Sequence, residues 1–336
     1  MDGLDDVDLA GALPYALPLV DRFRGTTVRE GVLLRGPVGW GDFCPFPEYG
    51  DDEAADWLAA AVEAATRPWP APVRDLVPVN VTVPAVAPAR AREIVAGSGC
   101  TTAKVKVAEH PASGAEDEAR LEAVRDALGP AGLVRIDANG RWDLETACAR
   151  LPALDRAAGG LDYVEQPCAS LTDLAAVRRR TGTRVAADES IRRAGDPLRV
   201  ALAGAADVAV IKATPLGGVR RALAVAEAAG LPCVVSSALE SGVGLAAEVA
   251  FAGALPQLAG ACGLRTAALL AGDVVPATSP ASRTAVPGHV AVAARSPEPD
   301  PGLLDRWRQR DPDRRRWWDG RLLRAAAALQ ARGGRG

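Results

Sequence analysis

Short apolar runs alternate with Ala-rich amphipathic segments between residues 76 and 275, and this alternation constrains the fold more than any other feature. Eight of the runs have the length and apolar character of buried β-strands: 77–84, 102–107, 133–137, 162–165, 184–188, 207–212, 232–237 and 264–270. Helices are predicted between them at 116–128, 144–157, 171–180, 219–229 and 245–255. Strands that alternate with helices pair in parallel through right-handed crossovers, and eight of them favour a closed barrel. The predicted class is therefore α/β, with a (β/α)₇β TIM-like barrel over residues 76–275.

The segments that flank the predicted barrel have different sequence patterns. Residues 13–43 alternate apolar stretches with glycine-containing turns, which predicts an antiparallel meander, and residues 51–66 have the pattern of an amphipathic helix. Residues 1–75 are therefore predicted to form a small α+β domain. At the other end, a Pro-rich stretch precedes a basic, helix-prone segment that carries three tryptophans. We predict that residues 276–336 pack back on the first domain through these indoles.

Lysine is scarce in this chain, and its placement indicates chemistry. Only three of the 39 basic residues are lysine, and Lys104, Lys106 and Lys212 all lie in apolar, strand-like runs. Arginine keeps its proton near neutral pH, whereas a desolvated lysine can become a general base. Lys104 and Lys106 stand two residues apart on one strand, so both side chains point to the same face. We therefore predict that the three lysines form a catalytic set.

Three consecutive predicted strands each end in a carboxylate: Asp137, Glu165 and Asp188. The carboxyl ends of barrel strands meet at one face, where the active sites of such barrels lie. Carboxylates that converge there repel one another unless a cation lies between them. Hard oxygen ligands without His or Cys favour Mg²⁺, for which Mn²⁺ can substitute. With lysines on both flanking strands, the predicted chemistry is removal of a proton α to a carboxylate, with the metal stabilising the resulting charge.

These signatures resemble the enolase superfamily, in its muconate-lactonising branch. The residues that carry the resemblance are Lys104-Val-Lys106, Asp137-Ala-Asn139, Val164-Glu165-Gln166-Pro167, Ala187-Asp188-Glu189-Ser190 and Ile211-Lys212. The resemblance implies that residues 1–75 form a capping domain, whose loops 21–29 and 44–49 cover the site. It also implies that the three carboxylates are metal ligands, that Asn139 and Glu189 support them, and that Lys106 carries the proton. Candidate substrate contacts are Ser236, Ser237, Gly263 and Arg135.

Within this branch, three stretches resemble the members that remove water from a cyclohexadiene carboxylate in menaquinone biosynthesis: 39–42, 236–242 and 263–266. Asp42 departs from the pattern, because relatives often have Glu at that position. The resemblance implies a Mg²⁺-dependent syn-dehydration, which is a lyase reaction.

The resemblance also extends to members of the superfamily with activities other than dehydration. Racemisation of N-succinylamino acids stays open, because it uses the same two lysines on opposite faces. Dipeptide epimerisation and muconate cycloisomerisation fit less well, and residues 263–266 lack the paired acids that hold a dipeptide ammonium. Mandelate-racemase-type chemistry is excluded, since no His lies between residues 111 and 288. A non-catalytic barrel is disfavoured because every expected catalytic position is filled.

Composition limits the partners and the compartment. A net charge of −3 leaves no basic surplus for binding nucleic acid or an anionic membrane. The six cysteines form no CxxC pair, which is typical of reduced thiols in a cytoplasmic protein. We therefore predict a small anionic molecule as the partner and the cytoplasm as the location. No pattern specifies an oligomeric state, and a monomer is compatible with the sequence.

Overall fold

The computed structural model describes residues 3–192, 198–280 and 286–333 of the chain. Its N-terminal part is an antiparallel sheet of β1 (Leu13–Phe23), β2 (Thr26–Arg35) and β3 (Trp40–Phe43), followed by helix α1 (Asp51–Thr66). Gly25 has a φ of 82°, which glycine adopts freely, and it forms the tight turn between β1 and β2. Acidic residues occupy the first turn of α1, where they stabilise the positive end of the helix dipole. The predicted meander and helix are confirmed.

The chain then alternates strands and helices. After a short strand β4 (Leu76–Pro78), the barrel strands are β5 (Val81–Val83), β6 (Thr102–Lys106), β7 (Leu133–Asp137), β8 (Leu161–Glu165), β9 (Val185–Ala187), β10 (Val208–Ile211) and β11 (Cys233–Val235). The helices among them are α2 (Pro88–Ala96), α3 (Gly114–Leu128), α4 (Leu144–Ala158), α5 (Leu171–Thr181), α6 (Glu189–Arg192), α7 (Leu198–Leu202), α8 (Val219–Ala229) and α9 (Gly242–Ala254). The strands form one parallel, curved sheet in the order β11-β10-β9-β8-β7-β6-β5. The sequence pattern did not predict α2, α6 or α7.

Cys262 and Gly263 close the barrel, and this corrects the predicted eighth strand at 264–270. The Cys262 amide donates to the carbonyl of Pro78 at 2.7 Å, and the Gly263 amide donates to the carbonyl of Val235 at 2.8 Å. The Asn80 amide, directly before β5, also donates to the carbonyl of Cys262 at 2.9 Å, so one short segment bonds to the chain at both edge strands, β5 and β11. The run that follows forms a 3₁₀ helix instead of a strand, because its last two leucines pack into the apolar cluster of the N-terminal domain.

The predicted strand at 77–84 consists of two elements. β4 pairs antiparallel with β12 (His289–Ala291), and only β5 enters the barrel sheet. Pro78 lacks an amide hydrogen, so the chain cannot continue as a regular central strand through that residue.

Helices α10 (Pro301–Trp307) and α11 (Pro312–Gly333) bring the chain back to the N-terminal sheet. Trp318 of α11 is 0% exposed and meets Phe43 of β3 edge to face, with ring centroids 6.1 Å apart. Both rings belong to the same apolar cluster as the buried face of α1. The domain limits 1–75, 76–275 and 276–336 stay predictions, and residues 1–2, 193–197, 281–285 and 334–336 lie outside the described parts.

The apolar cluster of the N-terminal domain extends onto the barrel. It includes Ala238, Leu239 and Val243, which follow the carboxyl end of β11. The N-terminal domain therefore covers the end of the barrel at which the strands terminate, and we call it the capping domain. Among the described helices, none combines the length and the apolar character that a membrane span requires.

Candidate active site

Parallel pairing brings the predicted residues to the capped end of the barrel. Lys106 pairs in register with Asp137, and Asp137 pairs with Glu165, so these side chains lie side by side at the ends of β6, β7 and β8. Asp188 follows β9 and Lys212 follows β10, on the other half of the ring. The catalytic set and the three carboxylates therefore share one site, as parallel strand ends require.

Lys104 lies between two carboxylates. Its Nζ is 3.0 Å from Glu165 Oε1 and 3.3 Å from Asp137 Oδ2. Lys104 is only 6% exposed and Glu165 is 0% exposed. Burial lowers the pKa of Lys104, but the negative charges of Glu165 and Asp137 outweigh burial and raise that pKa well above its usual value. Lys104 is therefore a persistent cation within the site.

Lys106 has a different environment although it is two residues away. Its Nζ donates to Asp137 Oδ2 at 2.6 Å and to Asn139 Oδ1 at 2.8 Å. Burial lowers the pKa of Lys106, Asp137 opposes this shift, and the positive charge of Lys104 adds to the lowering. The two lysines thus shift in opposite directions, and Lys106 is the one suited to release a proton.

Lys212 donates to Asp188 Oδ2 from the facing half of the ring. The position of Asp188 depends on Gln166, whose Oε1 accepts from the Asp188 amide at 3.0 Å and from the Ser190 amide at 3.3 Å. Gln166 has a φ of 40°, an uncommon conformation for this residue type. Sequence reasoning gave Gln166 no role, and its place directly after Glu165 is the signal that could have identified it.

The three carboxylates form a set of buried hard oxygens. Burial and the negative charges of Asp137 and Asp188 raise the pKa of Glu165 to about 7, against the opposing charge of Lys104. A divalent cation relieves such repulsion, so the residue types fit Mg²⁺. Among the described residues, no three His, Cys, Asp or Glu side chains converge on one point, because Lys104 and Lys212 lie against the same oxygens.

A cavity of about 30 Å³ lies between the lysines and the capping domain. Ser236 and Ser237, two of the predicted substrate contacts, line it. Four further barrel residues line the cavity that the sequence analysis did not predict as part of the site: Thr82, Ala238, Leu239 and Thr266. The capping loops contribute Phe23, Arg24 and Phe46. The cavity therefore has a polar wall on the barrel side and an aromatic, cationic wall on the cap side.

Two predicted substrate contacts, Arg135 and Gly263, do not line this cavity. Arg135 extends toward the amino end of the barrel, where Nε donates to Asp162 Oδ2 at 2.7 Å and Nη1 donates to the carbonyl of Ala261 at 2.5 Å. Gly263 closes the barrel through its backbone, and a Cβ there would lie 2.6 Å from Ser236 Oγ. Neither Arg135 nor Gly263 is among the described residues that line the cavity.

Asn139 and Glu189 connect the site to the capping domain. Asn139 has a φ of 49°, which places its side chain against Lys106, and its Nδ2 donates to Glu189 Oε1 at 3.3 Å. Arg24 Nη2 of the capping domain lies 3.9 Å from the same Glu189 oxygen. A polar chain therefore runs from Lys106 to the loop that covers it.

Both parts of the chain match known families. Residues 15–65 match the family described as Enolase N-terminal domain-like, and residues 87–296 match the family described as Enolase C-terminal domain-like. The solved structure of the muconate lactonizing enzyme from Pseudomonas putida is 22% identical and superposes with a TM-score of 0.74, covering 90% of this chain and 99% of that one. This likeness confirms the fold.

Curated relatives are more similar. An o-succinylbenzoate synthase of Thermobifida fusca is 65% identical over 260 residues, which are 77% of this chain and 81% of that protein. An o-succinylbenzoate synthase of Mycolicibacterium smegmatis is 48% identical over 327 residues, which are 97% of this chain and 98% of that protein. The chain therefore belongs to the enolase superfamily, and within it to the family of proteins named o-succinylbenzoate synthase.

Proposed function

We propose that this protein is an o-succinylbenzoate synthase, a lyase of menaquinone biosynthesis. It would convert 2-succinyl-6-hydroxy-2,4-cyclohexadiene-1-carboxylate to 2-succinylbenzoate by syn-elimination of water. The observation that carries the proposal is 48% identity to a relative of that name over 97% of the chain. The order of the strands supports the proposal, because Lys106 at the end of β6 and Lys212 after β10 flank the three buried carboxylates.

Asp137, Glu165 and Asp188 would hold Mg²⁺, and Mn²⁺ would substitute for it because both ions take hard oxygen ligands. Sites of this superfamily combine a Lys or His base with Mg²⁺. Bound there, the metal would supply positive charge to the substrate carboxylate and make the α-proton acidic enough for an amine to remove. The Asn139 amide donates to Asp137 Oδ1 at 3.0 Å and would keep that ligand oriented, while Glu189 would fix Asn139.

Lys106 would carry the proton. As a free amine it takes the proton from the carbon α to the carboxylate, and the electrons of that C–H bond pass into the carboxylate as an enediolate. When the electrons return, the bond from the ring to the hydroxyl breaks, and the ammonium of Lys106 gives its proton to the departing oxygen, so water leaves. One residue performs both transfers only if the proton and the hydroxyl leave from the same face. Aromatisation of the ring drives the second step.

The other two lysines would act by charge. Lys104 remains an ammonium between Asp137 and Glu165, and its positive charge favours the amine form of Lys106. Lys212 would stabilise the negative charge of the enediolate as an ammonium, because dehydration requires only one proton carrier. Its contact with Asp188 would align it toward the ring.

The substrate wall would combine Ser236 and Ser237 with Phe23, Arg24 and Phe46 of the capping loops. Such a surface suits a small, cyclic anion, and we propose no nucleic-acid or membrane partner; a monomer is compatible with this proposal, which does not specify the oligomeric state. A cavity of about 30 Å³ is roughly the size of one water molecule, so binding requires movement of the capping loops or the lysines. The six free cysteines support a cytoplasmic location.

The test is turnover of the cyclohexadiene substrate by the purified protein, followed by the absorbance change on aromatisation. Activity should disappear after exhaustive chelation with EDTA and return with Mg²⁺ or Mn²⁺. Full activity after chelation would exclude the metal, and absence of dehydration in the presence of Mg²⁺ would exclude the function.

The second candidate is racemisation of N-succinylamino acids, and the specific observation in its favour is that Lys106 ends β6 and Lys212 follows β10, four strands away around the sheet. Racemisation needs a proton carrier on each face of the α-carbon, whereas dehydration needs only one. A polarimetric assay distinguishes them, because a far higher kcat/KM for racemisation than for dehydration would make the racemase the principal activity.

A further inference from the structure

The loop of residues 236–241, which joins β11 to α9, forms one wall of the site. Ala238 and Leu239 line the cavity from this loop. Leu239 has a φ of 66°, a left-handed conformation that is unfavourable for a leucine. Contacts with the surrounding structure must therefore maintain the shape of this wall.

Bonds within the loop provide part of this support, since the Ala238 amide donates to Glu240 Oε1 at 2.9 Å. The contacts from outside the loop include those of Arg29, on strand β2 of the capping domain. The Arg29 Nε donates to the carbonyl of Leu239 at 3.0 Å, and its Nη2 lies 3.4 Å from the carbonyl of Ala238. Arg29 is only 2% exposed. The planar guanidinium presents its donors in a rigid fork, so it fixes the direction of both carbonyls together. A residue of the capping domain thus sets the backbone of a barrel loop.

The same guanidinium also contacts the cap-side wall. Its Nη2 donates to the carbonyl of Cys44, and its Cζ lies 4.4 Å from the centroid of the Phe46 ring. Phe46 lines the same cavity as Leu239. Arg29 therefore joins the two walls between which the substrate would bind, although its own side chain is not among the described residues that line the cavity.

Asp42 holds the other end of the loop. Its Oδ2 accepts from the Ser241 amide at 3.0 Å and from Ser241 Oγ at 2.7 Å, while Tyr15 donates to Oδ1 at 2.8 Å. Simple attachment of the two domains is provided elsewhere, for example by the exposed pair of Arg221 and Asp56 at 2.7 Å. The buried contacts of Arg29 and Asp42 differ from that pair because they end on the loop whose residues 236–239 line the cavity.

We propose that Arg29 is a positioning residue for substrate recognition, which sets the distance between the Ala238–Leu239 wall and Phe46, with Asp42 fixing the far end of the loop. The proposal rests on the dehydratase activity proposed above. Because Arg29 contacts neither the lysines nor the three carboxylates in the described structure, its loss should affect binding rather than proton transfer. A change in KM at nearly constant kcat is the signature of lost binding in ground and transition states alike.

The experiment compares Arg29→Lys and Arg29→Met with Arg221→Lys, which alters a domain contact far from the cavity. Hydrogen bonds from charged donors correspond to about 10- to 100-fold in an equilibrium constant. We expect KM to rise about 10-fold or more for Arg29→Met and less for Arg29→Lys, which keeps one charged donor, with kcat within about threefold of wild type. Arg221→Lys should leave both constants unchanged.

Circular dichroism establishes that each variant is folded. An unchanged KM in a folded Arg29→Met protein, or a loss confined to kcat, would overturn the proposal. If both Arg29 variants fail to fold, Asp42→Asn tests the same loop from its other end: a raised KM supports the proposal, and an unchanged KM refutes it. Failure of the proposed function is a separate outcome, because the wild-type protein itself would then not dehydrate the substrate.

Discussion

Replacement of Lys106 by arginine separates the charge of this residue from its ability to transfer a proton. The Lys106 Nζ lies 2.6 Å from Asp137 Oδ2 and 2.8 Å from Asn139 Oδ1. Arginine has donors for both oxygens, so Lys106→Arg should preserve the fold and the neutralisation of Asp137. A guanidinium stays protonated throughout the working pH range, however, and cannot act as a base.

The size of the effect follows from the two roles assigned to Lys106. General-base and general-acid assistance each contribute about 10²- to 10⁴-fold. Taking the lower value for each, kcat should fall by about 10⁴-fold or more, which corresponds to about 5 kcal/mol of lost transition-state stabilisation. The apparent affinity for Mn²⁺, measured by titration calorimetry, should change little because the three carboxylates are intact.

The matched control is the same substitution at Lys212, which is proposed to act through its positive charge alone. Lys212→Arg keeps a cation where only charge is needed, so it should reduce kcat less than Lys212→Ala does. Initial dehydration rates at saturating Mg²⁺ decide the question. If Lys106→Arg stays within about tenfold of wild type while Lys212→Arg is inactive, the proton carrier lies on β10 and the assignment is wrong.

Three further predictions concern the metal ligands, a buried carboxyl group and the C-terminal helix. Asp188→Asn should lower kcat/KM at least about 10²-fold, since charge stabilisation by a metal is worth several kcal/mol; an unaltered circular dichroism spectrum with unaltered activity would contradict this. Burial raises the pKa of Asp273 to about 6, although the amides of Gly242 and Val274 donate to it. The folded state therefore binds this proton more tightly, and the free energy of unfolding should fall relative to Asp273→Asn by about 2 kcal/mol as pH rises from about 4 to about 6; urea titrations at both pH values would contradict this if the difference stayed constant. Trp318→Ala should lower the free energy of unfolding by about 3–5 kcal/mol, because it empties a fully buried site, and a loss below about 1 kcal/mol in urea denaturation would mean that α11 contributes little to the capping domain.

The sequence by itself determined most of the barrel and the place of the active site. Strand β7 and helices α1 and α8 lie at the predicted residues, because apolar periodicity and flanking turn residues are local signals. The carboxyl ends of parallel strands lie at one edge whatever the details of packing. Acidic residues at three strand ends, with lysines on the flanking strands, therefore had to lie close together, and in the structure they do.

The tertiary structure decided what depends on contacts between distant residues. The apolar run at 264–270 has a composition compatible with a strand, but Cys262 and Gly263 are the residues that bond to the chain beside β5 and β11. Leu269 and Leu270 pack into the apolar cluster of the capping domain instead. Arg135 shares a strand face with Asp137, yet its long side chain turns to the acceptors Asp162 and Ala261 at the other end of the barrel.

The contacts that hold the walls of the site in place also join residues that are distant in sequence. Arg29 lies far from the barrel signatures in sequence, and no local pattern indicates that its guanidinium bonds to Leu239, 210 positions later. A strand pattern determines which face a side chain takes, because the pleat alternates at every residue. It does not determine where a flexible, charged side chain ends, because that depends on which acceptors the folded chain brings within hydrogen-bonding distance.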